Sequence, residues 1–290
     1  MIPGAFEYHS AKSVDEAIKL LGQYGDDAKL LAGGHSLIPA LKLRLQSVGH
    51  LIDLGRIGGL DGIKEAGGKI AIGALATHHS IETSKLLRDK CPLLSECAGY
   101  IGDVQVRNRG TIGGSLSHAD PAADYPAAVL ALEAEIEATS SKGKRTIAAD
   151  GFFVDMLTTA LQPGEIVTEV RVPVTAAKGT GTAYLKVLQP ASGFAIVGVA
   201  ALVTLDGSGK ASKVRVGVTG AAVKAFRAKD TEAALTGKAA DDAAIAAAAE
   251  KATSNVETSG DIFASPEYRA HLTRVYARRA LAEAVKRAKG

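Results

Sequence analysis

Two glycine-rich segments have the clearest chemical potential in this sequence. One covers residues 32–36 (AGGHS) and the other residues 111–115 (TIGGS). Each follows an apolar stretch typical of a strand and precedes a stretch typical of a helix, so each turn is expected to expose backbone N–H groups that no side chain covers. Such groups, at the positive end of a helix dipole, bind phosphate. Two of these turns predict a ligand with two phosphates, and a dinucleotide is the obvious candidate.

Neither segment is a common nucleotide-binding fingerprint. The first lacks the G-x-G-x-x-G spacing of a Rossmann turn, and no acidic residue closes a βαβ nucleotide unit after it. The pattern G-x-x-x-x-G-K-[ST] is absent as well. Because the chain contains 32 glycines, each turn taken alone favours a structural role.

The composition narrows the classes of function. The chain has 290 residues, of which 47% are hydrophobic, and this predicts one large or two ordinary domains. Its 34 basic and 31 acidic side chains leave a net charge of +3, which does not favour nucleic acid as a partner. No apolar stretch reaches the roughly 20 residues of a membrane span, and residues 1–8 lack a signal core. We expect a cytoplasmic protein, with peripheral attachment to the inner face of a membrane left open.

The residues that commonly bind metals are sparse. Cys91 and Cys97 are separated by five residues, which matches no common zinc or iron–sulfur pattern, and we expect both to be small buried residues. His78 and His79 are adjacent, so on an extended chain their side chains would point to opposite faces. We therefore predict no metal site, and electrons would be carried by an organic cofactor or by a partner.

The elements that position the two glycine segments follow from apolar periodicity and turn residues. A capping box at residues 13–16 opens the first helix, and residues 1–57 form a compact α/β unit. Residues 58–176 form a second unit with a hairpin of residues 135–138 and 145–147. Further elements are predicted as strands at 29–32, 51–54, 69–72 and 165–173 and as helices at 37–45, 84–87 and 93–100.

The last part of the chain differs in character. Three strands joined by short turns predict an antiparallel sheet, and helices follow them in an α+β order. The strands are predicted at 183–187, 195–205 and 213–219, and the helices at 231–235, 241–253 and 265–289. A segment rich in Ala, Gly and Thr at 175–182 is the best linker. We place the domain boundary between residues 176 and 177.

The residues that flank the two glycine segments narrow their interpretation to one protein family. Residues 31–39 (LAGGHSLIP) and 111–124 (TIGGSLSHADPAAD) resemble the first and second FAD loops of the flavoprotein (medium) subunits of molybdenum hydroxylases. Three further segments fit the same family: residues 107–110 (RNRG), 265–272 (SPEYRAHL) and 278–281 (RRAL). Their order and spacing hold over essentially the whole chain. Within this family the sequence is most similar to the branch of carbon monoxide and xanthine dehydrogenases.

The resemblance implies the fold, the cofactor and the partners. The fold class is α+β: an FAD-binding domain of the PCMH/vanillyl-alcohol-oxidase type in two α/β subdomains, followed by a C-terminal domain with a three-stranded antiparallel sheet and a helical bundle. The chain would carry FAD beside a large molybdenum-cofactor subunit and a small 2Fe-2S subunit, as a dimer of heterotrimers. Electrons from the clusters would pass through FAD to a terminal acceptor (quinone, NAD, oxygen or a protein). Two alternatives remain: an autonomous FAD-dependent oxidoreductase and a non-catalytic nucleotide-binding module.

The resemblance also implies roles for single residues. The backbone of residues 32–36 and the Ser36 hydroxyl would hold one side of the pyrophosphate, and the second segment the other side. Asp124 would contact FAD hydroxyls, and Lys186 would reach the flavin end. His118 and Asp120 could form an acid–base pair, whereas Asp120 and Asp124 could instead cap the helix that follows. We favour capping and shaping of the cofactor site, and no catalytic residue is predicted. The predicted cofactor-binding residues are Leu31, Ala32, Gly33, Gly34, His35, Ser36, Leu37, Ile101, Thr111, Ile112, Gly113, Gly114, Ser115, His118, Asp120, Asp124, Val167 and Lys186.

Overall fold

Three parallel strands form the N-terminal sheet of the computed structural model, which describes residues 1–290. The elements of this unit are β1 (Glu7–Ser10), α1 (Val14–Tyr24), β2 (Ala28–Leu31), α2 (Leu37–Lys42) and β3 (His50–Asp53), and the sheet order is β1-β3-β2. The predicted N-cap is confirmed, because the Ser13 side chain accepts from the Glu16 N–H at 3.1 Å. The reciprocal bond of the capping box is shifted by one residue, since the Glu16 carboxylate accepts from the Lys12 N–H at 2.8 Å.

The helix after the first glycine segment is shorter than predicted. It ends at Lys42 and not at residue 45. Arg44 lies in the left-handed region with φ of 57°, a conformation that cannot continue a right-handed helix. No residue type at this position signals the break, since left-handed backbone is usually marked by glycine or asparagine.

The second unit is built on a five-stranded antiparallel sheet of order β4-β5-β10-β6-β7. Its strands are β4 (Ile63–Ala66), β5 (Lys69–Gly73), β6 (Glu135–Ser140), β7 (Gly143–Ala148) and β10 (Ile166–Pro173), with a small separate hairpin of β8 (Phe153–Asp155) and β9 (Thr158–Thr159). Its helices are α3 (His78–Thr83), α4 (Lys85–Lys90), α5 (Pro92–Gly99), α6 (Val104–Arg107), α7 (Ile112–His118), α8 (Tyr125–Ala131) and α9 (Ala149–Phe152). The β6–β7 hairpin confirms the prediction for this segment.

His78 and His79 do not lie on an extended chain, so that premise is wrong. They open helix α3, whose first turn is capped by Thr77, since the Thr77 hydroxyl accepts from the Ser80 N–H at 3.1 Å. His78 is buried and His79 is exposed. The two imidazoles therefore occupy different environments because successive residues of a helix point in different directions, and not because they alternate along a strand.

The C-terminal sheet has order β11-β12-β13-β14 and is antiparallel throughout. Its strands are β11 (Thr180–Leu188), β12 (Ala195–Leu205), β13 (Ala211–Thr219) and β14 (Phe226–Arg227), and the helices are α10 (Lys229–Leu235), α11 (Asp242–Ala249) and α12 (Pro266–Lys289). The three predicted strands are present, and the two-residue β14 extends the sheet by one short strand. None of the helices is both long enough and apolar enough to cross a membrane.

The C-terminal sheet separates two hydrophobic cores. Along β12, Val199 and Ala201 belong to the core shared with the C-terminal helices, whereas Ala200 and Leu202 belong to the core of the second unit. This division follows from the alternation of side chains along a strand. Helices α5 and α8 pack on one face of the sheet, and α12 packs on the other.

Candidate functional site

One large cleft, with a volume of about 1910 Å³, brings both glycine segments together. It is larger than the roughly 300–1,000 Å³ of an ordinary small-molecule pocket, and so it suits an extended ligand. Residues 192–194, which follow β11, line part of it. Fifteen of the predicted site residues line the cleft: Ala32, Gly33, Gly34, His35, Ser36, Leu37, Ile101, Thr111, Gly113, Gly114, Ser115, His118, Asp120, Asp124 and Val167.

The first glycine segment presents a row of unpaired backbone donors. None of the N–H groups of residues 32–37 donates to a backbone carbonyl. Gly34 has φ of 75°, and a positive φ next to ordinary backbone turns successive N–H groups toward one point. The His35 ring folds back, with Nδ1 donating to the Gly33 carbonyl at 3.0 Å. The segment is thus a cradle for an anion such as phosphate.

The first segment is in direct contact with the residues that lead into the second segment. A Cβ atom placed on Gly33 would overlap the carbonyl oxygen of Arg109 and would lie 2.7 Å from the Gly110 Cα. Only glycine permits this approach. The cradle is therefore held in place by the residues that lead into the second segment.

In the second segment only the Thr111 N–H lacks a partner, so the expectation of two equivalent cradles is wrong. The Gly113 N–H donates to the Ala74 carbonyl at 2.9 Å, and the Ser115 N–H donates to the Thr111 carbonyl at 3.0 Å. The Gly114 N–H donates to the Thr111 hydroxyl at 3.2 Å. Gly113 serves close packing, because a Cβ there would lie 2.6 Å from the Ala74 Cβ. This segment offers hydroxyl groups to the cleft and not an array of backbone donors.

Thr111 provides a test of this local structure. The substitution Thr111→Val keeps the size and shape of the side chain but removes the oxygen that caps α7. We expect a loss of about 1 kcal/mol in the free energy of unfolding, because a buried helix start then lacks one acceptor. Chemical denaturation measures the effect. Thr111→Ser, which keeps the hydroxyl, is the control, and an equal loss in both variants would contradict the capping role.

A buried ion pair lies at the edge of the cleft. Asp124, which is 4% exposed, accepts from the Tyr184 hydroxyl at 2.5 Å, and its carboxylate lies 2.9 Å from the Lys186 Nζ. Burial raises the pKa of the Asp124 carboxyl, and the charge of Lys186 opposes that rise. Asp124 lines the cleft and can accept a hydrogen bond from a ligand hydroxyl there.

The Lys186 side chain is enclosed beside the cleft and does not line it. Besides Asp124, its ammonium donates to the Tyr100 carbonyl at 2.7 Å and to the Gly193 carbonyl at 2.6 Å. These partners use all three ammonium donors. In this arrangement Lys186 fixes Asp124 and residue 193, and its direct contact with a flavin stays a prediction.

Two further predicted residues lie behind the cleft. Leu31 packs under the first segment, where a Cβ on Gly34 would lie 3.2 Å from the Leu31 Cδ1. Ile112 is fully buried in the core of the second unit. Leu31 supports the backbone of the first segment, and Ile112 supports that of the second.

His118 and Asp120 form no close acid–base pair. The His118 Nε2 lies 4.0 Å from the Asp120 carboxylate, whereas Asp120 accepts from the Ala122 N–H at 2.8 Å. Asp120 thus shapes the turn before α8, as expected, but it does not cap that helix. Asp124 stands at the start of α8 but makes no capping bond with its side chain.

His78 is a residue of the cleft that the sequence did not indicate. It is 5% exposed, and its Nδ1 has no hydrogen-bond partner within the protein. Burial lowers the pKa of His78 to about 4, so the imidazole is neutral at pH 7. The Nδ1 atom itself is enclosed by the protein, so the feature of the cleft that fits a large polar ligand is the cradle of free N–H groups. His78 packs against Gly110, just before the second segment. Nothing in the sequence indicated this contact, because the two residues are more than thirty positions apart.

Comparison with known proteins identifies related chains. Residues 4–175 match the family described as FAD binding domain in molybdopterin dehydrogenase, and residues 182–284 match the CO dehydrogenase flavoprotein C-terminal domain. The carbon monoxide dehydrogenase medium chain of Hydrogenophaga pseudoflava is 42% identical over 281 residues, which is 97% of either chain. The 6-hydroxypseudooxynicotine dehydrogenase complex subunit alpha of Paenarthrobacter nicotinovorans is 40% identical over 289 residues, 100% of this chain and 97% of that one.

Solved structures agree with these relatives. A chain of the carbon monoxide dehydrogenase from Hydrogenophaga pseudoflava that lacks the Mo-pyranopterin moiety superimposes with a TM-score of 0.96 at 44% identity, covering 99% of both chains. A chain of quinoline 2-oxidoreductase from Pseudomonas putida 86 has a TM-score of 0.93 at 31% identity and covers 100% of both chains. The fold is thus shared over essentially the full length of the chain.

Proposed function

The chain belongs to the family of FAD-binding subunits of molybdopterin dehydrogenases, and from this membership we propose that it is the electron-transfer subunit of a molybdenum hydroxylase. FAD is its cofactor, and the relatives are subunits of oxidoreductase complexes. In the proposal, electrons arrive from iron–sulfur clusters of a partner subunit and leave to a terminal acceptor. The observation that carries it is the cradle at residues 32–37, which is in contact with Arg109 and Gly110 just before the second segment.

We assign roles to residues by the groups they present to the cleft. The N–H groups of residues 32–37 hold the pyrophosphate, where unpaired donors compensate its charge. The Ser36, Thr111 and Ser115 hydroxyls supply further donors, and Asp124 accepts from a ribityl or ribose hydroxyl. Ile101 and Val167 form apolar parts of the wall. The bound flavin supplies the redox chemistry, and the protein positions it.

No side chain of this subunit has to act as acid or base in the proposal. The neutral His78 forms part of the wall of the cleft. Electron entry must come from outside the chain, since its two cysteines are both buried and iron–sulfur clusters are commonly held by four. The proposed partners are accordingly a large molybdenum-cofactor subunit and a small 2Fe-2S subunit, arranged as a dimer of heterotrimers.

The proposal includes the division of labour along the chain. We place the FAD-binding domain at residues 1–176, with subdomains of about 1–57 and 58–176, and the C-terminal domain at 177–290. The two family matches, at residues 4–175 and 182–284, support this division. Residues 192–194 bring part of the C-terminal domain to the cleft.

Co-purification from the native source tests the proposal. We expect two partners, one containing molybdenum and one containing 2Fe-2S clusters, and a purified chain that carries FAD but oxidises no substrate alone. Reduction of its flavin should require the cluster-containing partner. Substrate oxidation by the isolated chain would favour an autonomous flavin oxidoreductase. A chain that stays colourless after incubation with FAD would favour a nucleotide-binding module.

A further inference from the structure

Three side chains converge on the N-terminal sheet outside the cleft. Strands β1 and β3 run parallel and pair Glu7 with His50, and His9 follows Glu7 by two residues, so all three side chains lie on one face. The His9 Nε2 lies 3.1 Å from the His50 Nδ1. The Glu7 carboxylate oxygen lies 3.5 Å from the His50 Nδ1 and 3.9 Å from the His9 Nε2.

This triangle has the size of one face of a tetrahedral zinc site. Ligand atoms at about 2.0–2.1 Å from Zn²⁺ lie roughly 3.3–3.4 Å from one another in a tetrahedron. The three observed separations surround that value, and the potential ligand atoms all lie within 4.8 Å of one another. We propose that Glu7, His9 and His50 bind one Zn²⁺ ion, with water as the fourth ligand.

The donor set selects the class of metal. Two imidazoles and one carboxylate suit zinc and its transition-metal neighbours. Calcium and magnesium prefer six or more oxygen ligands, which these three side chains do not provide. The chemistry therefore favours Zn²⁺ over the hard divalent cations.

The imidazoles are held in place before a metal arrives. The Tyr24 ring stacks on both of them, with centroids 3.6 Å from His50 and 5.0 Å from His9. Both histidine side chains are only about a fifth exposed, at 18% and 20%, whereas the Glu7 side chain is 73% exposed and free to close on an ion. A stacked and largely enclosed pair of imidazoles with one exposed carboxylate keeps the ordering cost of binding low.

The site is separate from the cofactor cleft. In the ladder of β2 and β3, His50 pairs with Ala28 at the start of β2, whereas the cradle follows the last residue of that strand. None of Glu7, His9 and His50 lines the cleft. Zinc would join β1 to β3, strands that are far apart in sequence, and would stabilise this sheet without touching FAD.

The test uses the full chain with FAD bound, after removal of metals with a chelator. Titration calorimetry with Zn²⁺ should show one site per chain, and Glu7→Gln and His50→Gln should each weaken binding at least tenfold. His271→Gln, at an exposed histidine on α12, is the matched control and should bind as the unmodified chain does. Mg²⁺ should give no binding, and flavin absorbance should be equal in all variants.

Anomalous scattering from zinc-soaked crystals locates the ion. A peak between the Glu7 carboxylate and the two imidazoles would support the proposal. It is overturned by a peak elsewhere, by the absence of zinc binding, or by equal affinity in the Glu7→Gln variant and the His271→Gln control. Glu7→Gln keeps the test decisive even where a histidine variant folds poorly, because the Glu7 side chain is exposed.

Discussion

Replacing Gly33 by valine is expected to weaken FAD binding about ten- to hundredfold, which is the effect of inserting carbon atoms into a closely packed contact. The new Cβ would overlap the Arg109 carbonyl oxygen, so the two segments would have to separate. The cradle would then lose its position against the second segment. The flavin-to-protein ratio after dialysis and the affinity of the apoprotein for added FAD measure the result.

The control is Gly58→Val, the same change at an exposed loop glycine where a Cβ meets no atom within 4 Å. It should retain full FAD occupancy. Circular dichroism of both variants separates loss of the cofactor from loss of the fold. Full occupancy in Gly33→Val would show that the contact between the segments does not shape the site.

Lys186→Met should cost about 3–5 kcal/mol of unfolding free energy, since it leaves the Asp124 carboxylate buried and unpaired. Combining it with Asp124→Asn should recover much of this loss, because no charge then remains in the site. Thermal and chemical denaturation of the two variants measure the difference. Lys85→Met, at an ion pair whose side chains are 88% and 55% exposed, is the control and should cost little.

The penalty in Lys186→Met should depend on pH. Burial already raises the pKa of Asp124 in the folded protein, and loss of the lysine charge raises that pKa further. A carboxyl with a raised pKa destabilises the fold when it is ionised, so the penalty is full above the folded pKa. It should shrink as the pH falls toward the unfolded value of about 3.9. A penalty that is constant over this range would contradict the origin assigned to it.

Local signals were enough to predict much of the fold. The hairpin of β6 and β7, the long strands of the C-terminal sheet and the capped α1 follow from alternation and capping residues that lie within a few positions of one another. Strand β1 was not predicted, because its four residues gain their conformation from β3, more than forty residues later. The end of α2 at Lys42, two residues before the left-handed Arg44, was also not predictable from residue type.

In the site as well, the features set by neighbouring residues could be predicted, and those set by residues distant in sequence could not. The cradle at residues 32–37 was predictable, since its donors lie within one turn. The use of Gly113 for packing depends on Ala74, and the enclosure of Lys186 depends on Tyr100 and Gly193. These partners come from other elements, and no local pattern names them. The pairing of His9 with His50 was missed for the same reason.

Successive side chains of β12 belong to two different cores, and this limits which domain chimeras with related proteins can fold. The boundary proposed at residue 176 falls between two domains in sequence, yet Ala200 and Leu202 of the C-terminal sheet belong to the core of the second unit. At Gly217 the sheet is so close to α8 that a Cβ would overlap the Ala127 carbonyl. In a chimera joined at the linker, the C-terminal sheet of one parent would therefore pack against the second unit of the other, and their side chains would not be complementary. A functional recombinant must inherit α5 and α8 from the same parent as the C-terminal sheet.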